Sequence, residues 1–244
     1  MARPYEGTLS EELFTSEYLE TEQKLLFYTP PNFTPLKSYD LLICQDGNDY
    51  FQLGRIPRQV EDLVEEAELR DLIIVGVPYP NVDERRKRYH PDGEKAQAYI
   101  RFLAHELVPY LDDKFPTHQL AASRTLAGDS LAATISLMAA LKYPSLFGQV
   151  MMHSPYVNET VLEAVSACKK SEAISIYHVI GTKETTVKTT DGKVLDFLTP
   201  NRELHALLKE KSFPYSYYEF DGDHTWTHWQ KDLPRALTTL LPFD

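Results

Sequence analysis

Several strand-length segments of this chain are apolar at every position rather than at alternate positions. Residues 72–77 read Leu-Ile-Ile-Val-Gly-Val, and residues 41–44 read Leu-Leu-Ile-Cys. A strand needs apolar residues on both of its faces when helices cover both faces of its sheet, which is the arrangement of parallel sheets in α/β proteins. These segments therefore predict an α/β fold built as a three-layer αβα sandwich.

Eight segments have the length and the apolar or β-branched composition of strands. They cover residues 7–10, 18–29, 39–44, 72–78, 123–128, 149–154, 174–181 and 215–220. Helical periodicity is found over residues 58–69, 96–113, 130–142, 158–169, 201–211 and 228–240. After two N-terminal strands the order becomes β-α-β-α, which predicts a mostly parallel, eight-stranded, doubly wound sheet. A single domain over residues 1–244 is expected, because one core can fill that length.

The charge balance limits the classes of partner. The chain has 25 Lys and Arg against 36 Asp and Glu, a formal net charge of −11, which disfavours binding to nucleic acid or to an anionic membrane. The first residues lack the apolar core of a signal peptide, and no stretch approaches the roughly 18 apolar residues of a membrane span. We expect a cytoplasmic protein that binds a small molecule and neither nucleic acid nor membrane. Its oligomeric state is left open, and a homo-oligomer is compatible with the sequence.

Cofactor signals are weak. The two cysteines, Cys44 and Cys168, are too few for a disulfide framework or a cysteine-based zinc site. His224 and His228 have the i,i+4 spacing of a helical metal pair, but no Glu follows His224 as H-E-x-x-H requires, and no third ligand is evident. We therefore expect neither a metal nor another cofactor.

The fifth predicted strand runs without a linker into Gly128-Asp-Ser-Leu-Ala132 and then into a helix of small residues. In a nucleophile elbow, the serine occupies a strained turn between strand and helix, and the residues two before and two after it must be small. Gly128 and Ala132 meet this condition, so Ser130 is the predicted nucleophile. The alternative is a serine that caps an ordinary helix.

The same letters also spell the GDSL signature of another hydrolase class, and Asp221-Gly-Asp-His224 fits the D-x-x-H block of that class. In GDSL-type hydrolases the serine lies on the first strand and precedes the Gly/Asn block. Here Ser130 follows the fifth strand, and Gly47-Asn48 precedes it. The order of the motifs therefore favours the nucleophile elbow.

A serine nucleophile needs a general base, and histidine is the side chain best suited to that role near neutral pH. Of the eight histidines, His224 follows the eighth strand and reaches the same sheet edge as Ser130. The acid that orients the histidine is expected after the seventh strand. Glu184 is the first carboxylate after that strand and is the predicted acid. Asp191 and Asp196 lie in the same connection and are the alternatives.

The tetrahedral intermediate of an acyl transfer needs two backbone N–H donors. One belongs to the residue after the nucleophile, Leu131, and the other to the loop after the third strand. In that loop we expect Gly47 to permit a backbone twist that aims the N–H of Asn48 inward. An Asp-Gly hairpin turn is the alternative, but the next predicted strand begins at residue 72, beyond a helix.

Aromatic residues are frequent near the predicted site, and a basic run, Arg85-Arg-Lys-Arg88, follows the fourth strand. Such a run would attract an anionic substrate, and aromatic rings would hold an acyl or aryl group. The alternatives are a solvated charged face and aromatic residues that belong to the core. The predicted substrate-binding residues are Arg85, Arg88, Tyr89, His153, Tyr156 and Trp226.

With these positions assembled, the chain resembles a family of α/β-hydrolase esterases that includes enterochelin esterase-like proteins, trilactone siderophore hydrolases, feruloyl esterases and mycolyltransferase-type relatives. The likeness rests on Tyr39 through Gly47, Arg85 through Pro91, Arg124 through Ala132, Tyr143 through Phe147, His153-Ser-Pro155, and Gly222-Asp-His224 with Trp229. It implies an α/β-hydrolase fold, Ser130 as nucleophile, His224 as base, and oxyanion donors at Asn48 and Leu131. The departures are Ala132 for the usual Gly, Arg88 for a frequent Glu, and Asp223 for a small residue.

These predictions describe a metal-independent serine esterase that acts through an acyl-enzyme. The resemblance implies siderophore lactones or small acyl and aryl esters as substrates. An acyltransferase of the same fold is one alternative, and a catalytically idle binding protein of this fold is another.

Overall fold

The computed structural model describes residues 5–243. Within this range the strands are β1 (Thr8–Ser16), β2 (Thr21–Thr29), β3 (Asp40–Gln45), β4 (Leu72–Val77), β5 (Arg124–Asp129), β6 (Gln149–His153), β7 (Ser175–Gly181), β8 (Val187–Lys188), β9 (Val194–Leu195) and β10 (Tyr215–Phe220). The helices are α1 (Gly47–Gln52), α2 (Ile56–Glu65), α3 (Val82–Tyr89), α4 (Ala96–Arg101), α5 (Val108–Lys114), α6 (Leu131–Lys142), α7 (Glu159–Ser166), α8 (Leu198–Glu210) and α9 (Trp226–Leu240). A π-helical segment, Phe102–Leu107, joins α4 to α5, and 3₁₀ turns at Ala121–Ser123 and Ser171–Ala173 precede β5 and β7.

Eight of these strands form one sheet, in the order β1-β2-β4-β3-β5-β6-β7-β10. β2 pairs antiparallel with β1 and with β4. The other neighbours are parallel. β8 and β9 form a separate antiparallel hairpin, which the sequence did not predict. The mostly parallel, eight-stranded sheet is thus confirmed.

Each central strand contributes to two hydrophobic cores, one on each face of the sheet. In β3, Leu41 and Ile43 pack into the core that α4 to α8 cover, whereas Leu42 and Cys44 pack into the core that α1, α2 and α9 cover. All four side chains are fully buried. The alternation explains why β3 is apolar throughout, and it confirms the three-layer αβα arrangement.

Two helices were missed by the sequence pattern. α1 has six residues, too few to show a helical period, and α3 carries six charged residues among its eight. Apolar periodicity cannot reveal a helix whose buried side chains are two arginines and one tyrosine. Within residues 5–243, no helix combines the length and the apolar composition needed to cross a membrane.

Candidate active site

Ser130 lies at the turn between β5 and α6, with φ 52° and ψ −123°. A non-glycine residue rarely adopts this conformation, and such strain persists where the surrounding structure enforces it. A Cβ at Gly128 would lie 2.2 Å from the carbonyl carbon of Ala132, so strand and helix pass too closely for any side chain there. The geometry is that of the strained elbow expected from the sequence.

His224 follows β10 and contacts the carboxylate of Glu184, which follows β7. The distance from Nδ1 of His224 to Oε2 of Glu184 is 2.6 Å. Glu184 is fully buried, and its other oxygen accepts a hydrogen bond of 2.8 Å from the backbone N–H of Gly181. A carboxylate accepts hydrogen bonds, so Nδ1 donates, and Nε2 of the neutral imidazole is left as an acceptor.

Ser130 and His224 line the same cavity, which has a volume of about 380 Å³. Leu131 lines it at the start of α6, and the predicted residues Tyr156 and Trp226 contribute aromatic walls. The structure therefore brings together six of the predicted residues: Arg85, Ser130, Leu131, Tyr156, His224 and Trp226. Glu184 lies behind His224 and does not reach the cavity surface.

Asp191 and Asp196, the alternative acids, have other partners. Asp191 forms an ion pair of 2.9 Å with Arg86, and a hydrogen bond from the Thr189 hydroxyl lowers its pKa to about 2. Asp196 accepts hydrogen bonds from the backbone N–H and the hydroxyl of Thr199, and the latter lowers its pKa. Of the three candidates, the carboxylate at His224 is that of Glu184.

The loop after β3 differs from the expectation. Asn48 is exposed on α1 and does not line the cavity, whereas Asp46 and Asp49 do. The positive φ falls on Asp46, at 54°, and not on Gly47. Gly47 is needed for another reason, because a Cβ there would lie 2.5 Å from the backbone nitrogen of Val77 in β4. The second oxyanion donor therefore stays a prediction for this loop as a whole.

The basic run forms α3, and its members have separate surroundings. Arg85 lines the cavity, where its Nε and Nη2 bind the carboxylate of Asp46 at 2.9 and 2.5 Å. Arg88 is buried away from the cavity and donates to Oε1 of Gln23 in β2 at 2.9 Å. Arg88 therefore lies neither on a solvated face nor at the cavity, where the sequence placed a substrate contact.

Tyr89 and His153 are also buried outside the cavity lining. The ring of Tyr89 packs against Tyr99, with centroids 4.9 Å apart. His153 ends β6, and its backbone oxygen accepts the N–H of Ser130 at 2.9 Å, so it supports the elbow through the main chain. The structure therefore does not bring Tyr89 and His153 to the cavity, because both side chains are buried in the interior.

Three aspartates, Asp46, Asp49 and Asp129, line the inner wall of the cavity beside Arg85. Burial raises the pKa of Asp129 well above its ordinary range, and the neighbouring charge of Asp46 adds to this effect. Burial also raises the pKa of Asp49 and of Asp46, and Arg85 opposes the shift in both. Sequence reasoning missed this acidic wall. Its one sequence signal was Asp129, which lies directly before the nucleophile.

The two histidines considered as a metal pair point to different partners. His224 contacts Glu184, whereas Nε2 of His228 lies 3.1 Å from Oδ1 of Asp223, and its ring stacks on Phe220 at 5.3 Å. Among residues 5–243 there is no group of three or more His, Cys, Asp or Glu side chains arranged to hold a metal ion.

A doubly wound sheet with a strained serine after β5 and a histidine–carboxylate pair after β10 and β7 defines an α/β-hydrolase. The model of the family described as "Putative esterase" matches residues 16–240, so the chain belongs to that esterase family. The match covers most of the chain and includes every strand of the eight-stranded sheet except β1.

The chain is also similar to individual proteins of known sequence or structure. The chain is 55% identical to the protein YjcH of Bacillus subtilis (strain 168) over 98% of this chain and 99% of that protein. In fold it is similar to a ferulic acid esterase, with a TM-score of 0.79 and 15% identity over 98% of both chains. It is also similar to the enterobactin esterase FES from Shigella flexneri, with a TM-score of 0.82 and 20% identity over 96% of this chain and 58% of the other.

Proposed function

We propose that this protein is a metal-independent serine esterase. Ser130 attacks the ester carbonyl while Nε2 of His224 accepts the hydroxyl proton, and Glu184 holds the imidazole through Nδ1. His224 then returns the proton to the departing alcohol. Water, deprotonated by the same histidine, attacks the acyl-enzyme and releases the acid and free Ser130. The observation that carries the proposal is the 2.6 Å contact between His224 and the buried Glu184, at the cavity that Ser130 lines.

The oxyanion of the tetrahedral intermediate is proposed to bind backbone N–H groups at the start of two helices. One is the amide of Leu131, the first residue of α6. The other comes from the turn between β3 and α1, with Asn48 as the residue expected from sequence. Amides at a helix start are free to donate and point along the positive end of the helix dipole.

The substrate class that the cavity suits best is an ester with an aryl or short acyl group. Aromatic side chains wall the cavity at Tyr79, Tyr156 and Trp226, and the volume of about 380 Å³ matches a small molecule. Lys188 and Lys193, on the β8–β9 hairpin, add positive charge to the lining. A siderophore lactone is the narrower proposal, and it draws support from the fold shared with an enterobactin esterase.

A fluorophosphonate probe tests the chemistry independently of the substrate. Because a serine activated by an adjacent base attacks phosphorus quickly, we expect a single adduct that maps to Ser130. Ser130→Ala should abolish labelling, and Ser136→Ala, which changes a buried serine on the same helix, should not. Absence of an adduct on the folded protein, or an adduct at another residue, would contradict the serine esterase.

A substrate panel then separates the proposed classes. p-Nitrophenyl esters of increasing acyl length, aryl esters and a catecholate trilactone would be compared by kcat/KM. Preference for the aryl or short acyl esters supports the broader class, and preference for the trilactone supports the siderophore proposal. Transfer of the acyl group to an added alcohol in place of water would indicate an acyltransferase.

A further inference from the structure

Ser154 links the proposed triad acid to α9. It follows β6 directly, is fully buried and does not line the cavity. Its hydroxyl lies 2.6 Å from Oε1 of Glu184 and 3.0 Å from Nε1 of Trp229. Ser154 belongs to the His153-Ser-Pro155 segment that carries the family resemblance, and the resemblance implies no role for it.

The direction of these hydrogen bonds follows from the chemistry of the indole. Nε1 of Trp229 can donate and cannot accept, so the oxygen of Ser154 accepts that bond. The one hydroxyl hydrogen of Ser154 is then available for Glu184, whose oxygen is the acceptor. The order of donation is Trp229 to Ser154 to Glu184.

Glu184 is thereby held at both oxygens. Oε1 accepts from the hydroxyl of Ser154 and from the N–H of Gly181, and Oε2 accepts from His224. Without the hydroxyl, Oε1 keeps a single donor and the carboxyl group gains freedom to rotate about its last side-chain bond. The indole of Trp229 also packs edge-on against the imidazole of His224, with centroids 4.9 Å apart.

The backbone of Ser154 is held in an uncommon conformation. Its φ is 48°, and its N–H donates to the backbone oxygen of Val179 in β7 at 2.8 Å. A non-glycine residue in this left-handed region is strained, and such strain concentrates at functional sites. The conformation places the side chain of Ser154 toward Glu184, which follows the strand that binds its N–H.

We propose that Ser154 is a positioning residue of the active site, whose hydroxyl, oriented by the indole of Trp229, fixes the Glu184 carboxylate in the orientation that His224 requires. This inference rests on the proposed serine esterase and deepens it. Ser154 touches no reacting atom. It acts through Glu184, so its loss should affect the chemical step and leave the cavity that binds substrate intact.

The first test is a comparison of hydroxyl-free variants on a p-nitrophenyl ester. Ser154→Ala and Ser154→Gly should each lower kcat by about 10- to 100-fold with KM changed less than about twofold, since a small misplacement of catalytic groups is costly. Glycine relaxes the positive φ, so Ser154→Gly should be at least as stable to heat as Ser154→Ala while losing activity equally. Ser136→Ala, at a buried serine bonded to the backbone oxygen of Ala132 at 2.8 Å, should keep wild-type kcat.

The second test is a double-mutant cycle that measures the effect of Ser154→Ala on kcat with and without the Glu184→Gln substitution. If Ser154 acts through the carboxylate, Ser154→Ala should cost less than about twofold in kcat in the Glu184→Gln background. Full kcat in folded Ser154→Ala would overturn the positioning role, and so would an equal loss of kcat in the wild-type and Glu184→Gln backgrounds. In either case, ester hydrolysis by the wild type would leave the serine esterase proposal standing. Activity that follows thermal stability across the Ala and Gly variants would likewise overturn the positioning role. An inactive, unlabelled wild type would refute the esterase itself.

Discussion

Nδ1 of His224 lies 2.6 Å from Oε2 of Glu184, although the two residues are 40 positions apart in the chain. The register of the sheet explains this contact. β7 and β10 are adjacent parallel strands, and Phe220 at the end of β10 pairs with Gly181 at the end of β7. Glu184 and His224 follow these ends by three and four residues, so both reach the carboxyl edge of the sheet together.

Replacement of the proposed acid should nearly abolish turnover. Glu184→Gln keeps the shape of the side chain but allows the imidazole the wrong tautomer, a change that can lower kcat by about 10⁴. Steady-state kinetics on a p-nitrophenyl ester would measure the loss, with Ser130→Ala as the reference for an inactive site. Asp196→Asn should retain most of the wild-type kcat, because Asp196 contacts Thr199 and not His224.

Two outcomes would change this assignment. If Asp196→Asn or Asp191→Asn loses activity while Glu184→Gln remains active, that aspartate is the acid of the triad. Full activity in all three variants would indicate a dyad of Ser130 and His224 that needs no carboxylate.

Gly128→Ala should destabilise the elbow. The added Cβ would lie 2.2 Å from the carbonyl carbon of Ala132, which is backbone and cannot move aside. Overpacking of this kind costs about 1–3 kcal/mol, which urea denaturation would measure as a lower midpoint at unchanged slope. Ala132→Gly, which restores the usual elbow residue, removes the methyl group and should cost about 1 kcal/mol or less. Wild-type stability of Gly128→Ala would show that strand and helix can separate there.

The buried His178 should make the protein less stable in acid. Its Nε2 lies 2.7 Å from Oδ1 of Asn201, whose amide nitrogen donates to two backbone carbonyls, so Nε2 donates and Nδ1 accepts from the hydroxyl of Tyr215. Burial lowers the pKa of His178 from 6.5 to about 4. The unfolded chain therefore takes up a proton between about pH 6.5 and 4 that the folded protein does not.

The free energy of unfolding should consequently decrease as the pH is lowered from 6.5 to 4, by up to roughly 1.4 kcal/mol per pH unit from this residue. Urea denaturation of wild type and His178→Gln at several pH values would isolate the contribution. The wild type should lose about 3 kcal/mol more than the variant between pH 6.5 and 4. Parallel stability curves would mean that His178 titrates alike in the folded and unfolded chains.

Ester hydrolysis should be unchanged by EDTA. The proposed mechanism assigns Nδ1 of His224 to Glu184, and His228 contacts Asp223, so the two imidazoles do not converge. Activity assays after prolonged dialysis against the chelator would test this. Loss of activity that Zn²⁺ restores would contradict the metal-independent mechanism.

The regular elements of the central sheet were predictable because their signals are local. β4 spans Leu72–Val77 where the apolar run predicted residues 72–78, and β10 spans Tyr215–Phe220 as predicted. α3 was not predictable, because Arg85 and Arg88 bury their charges against Asp46 and Gln23, which lie on distant segments. Hydrophobic periodicity does not reveal contacts between charged or polar side chains on distant segments.

The sequence by itself determined the fold class and the position of Ser130. Strands apolar on both faces require helices on both sides, and a strand that enters Gly128-Asp-Ser-Leu-Ala132 directly requires a tight elbow. The tertiary structure alone decided which of the three candidate carboxylates contacts His224, that the hydroxyl of Ser154 bonds to Glu184, and that three aspartates line the cavity. These contacts join residues that follow different strands, and their distances depend on the order β6-β7-β10 and its register, which no local pattern encodes.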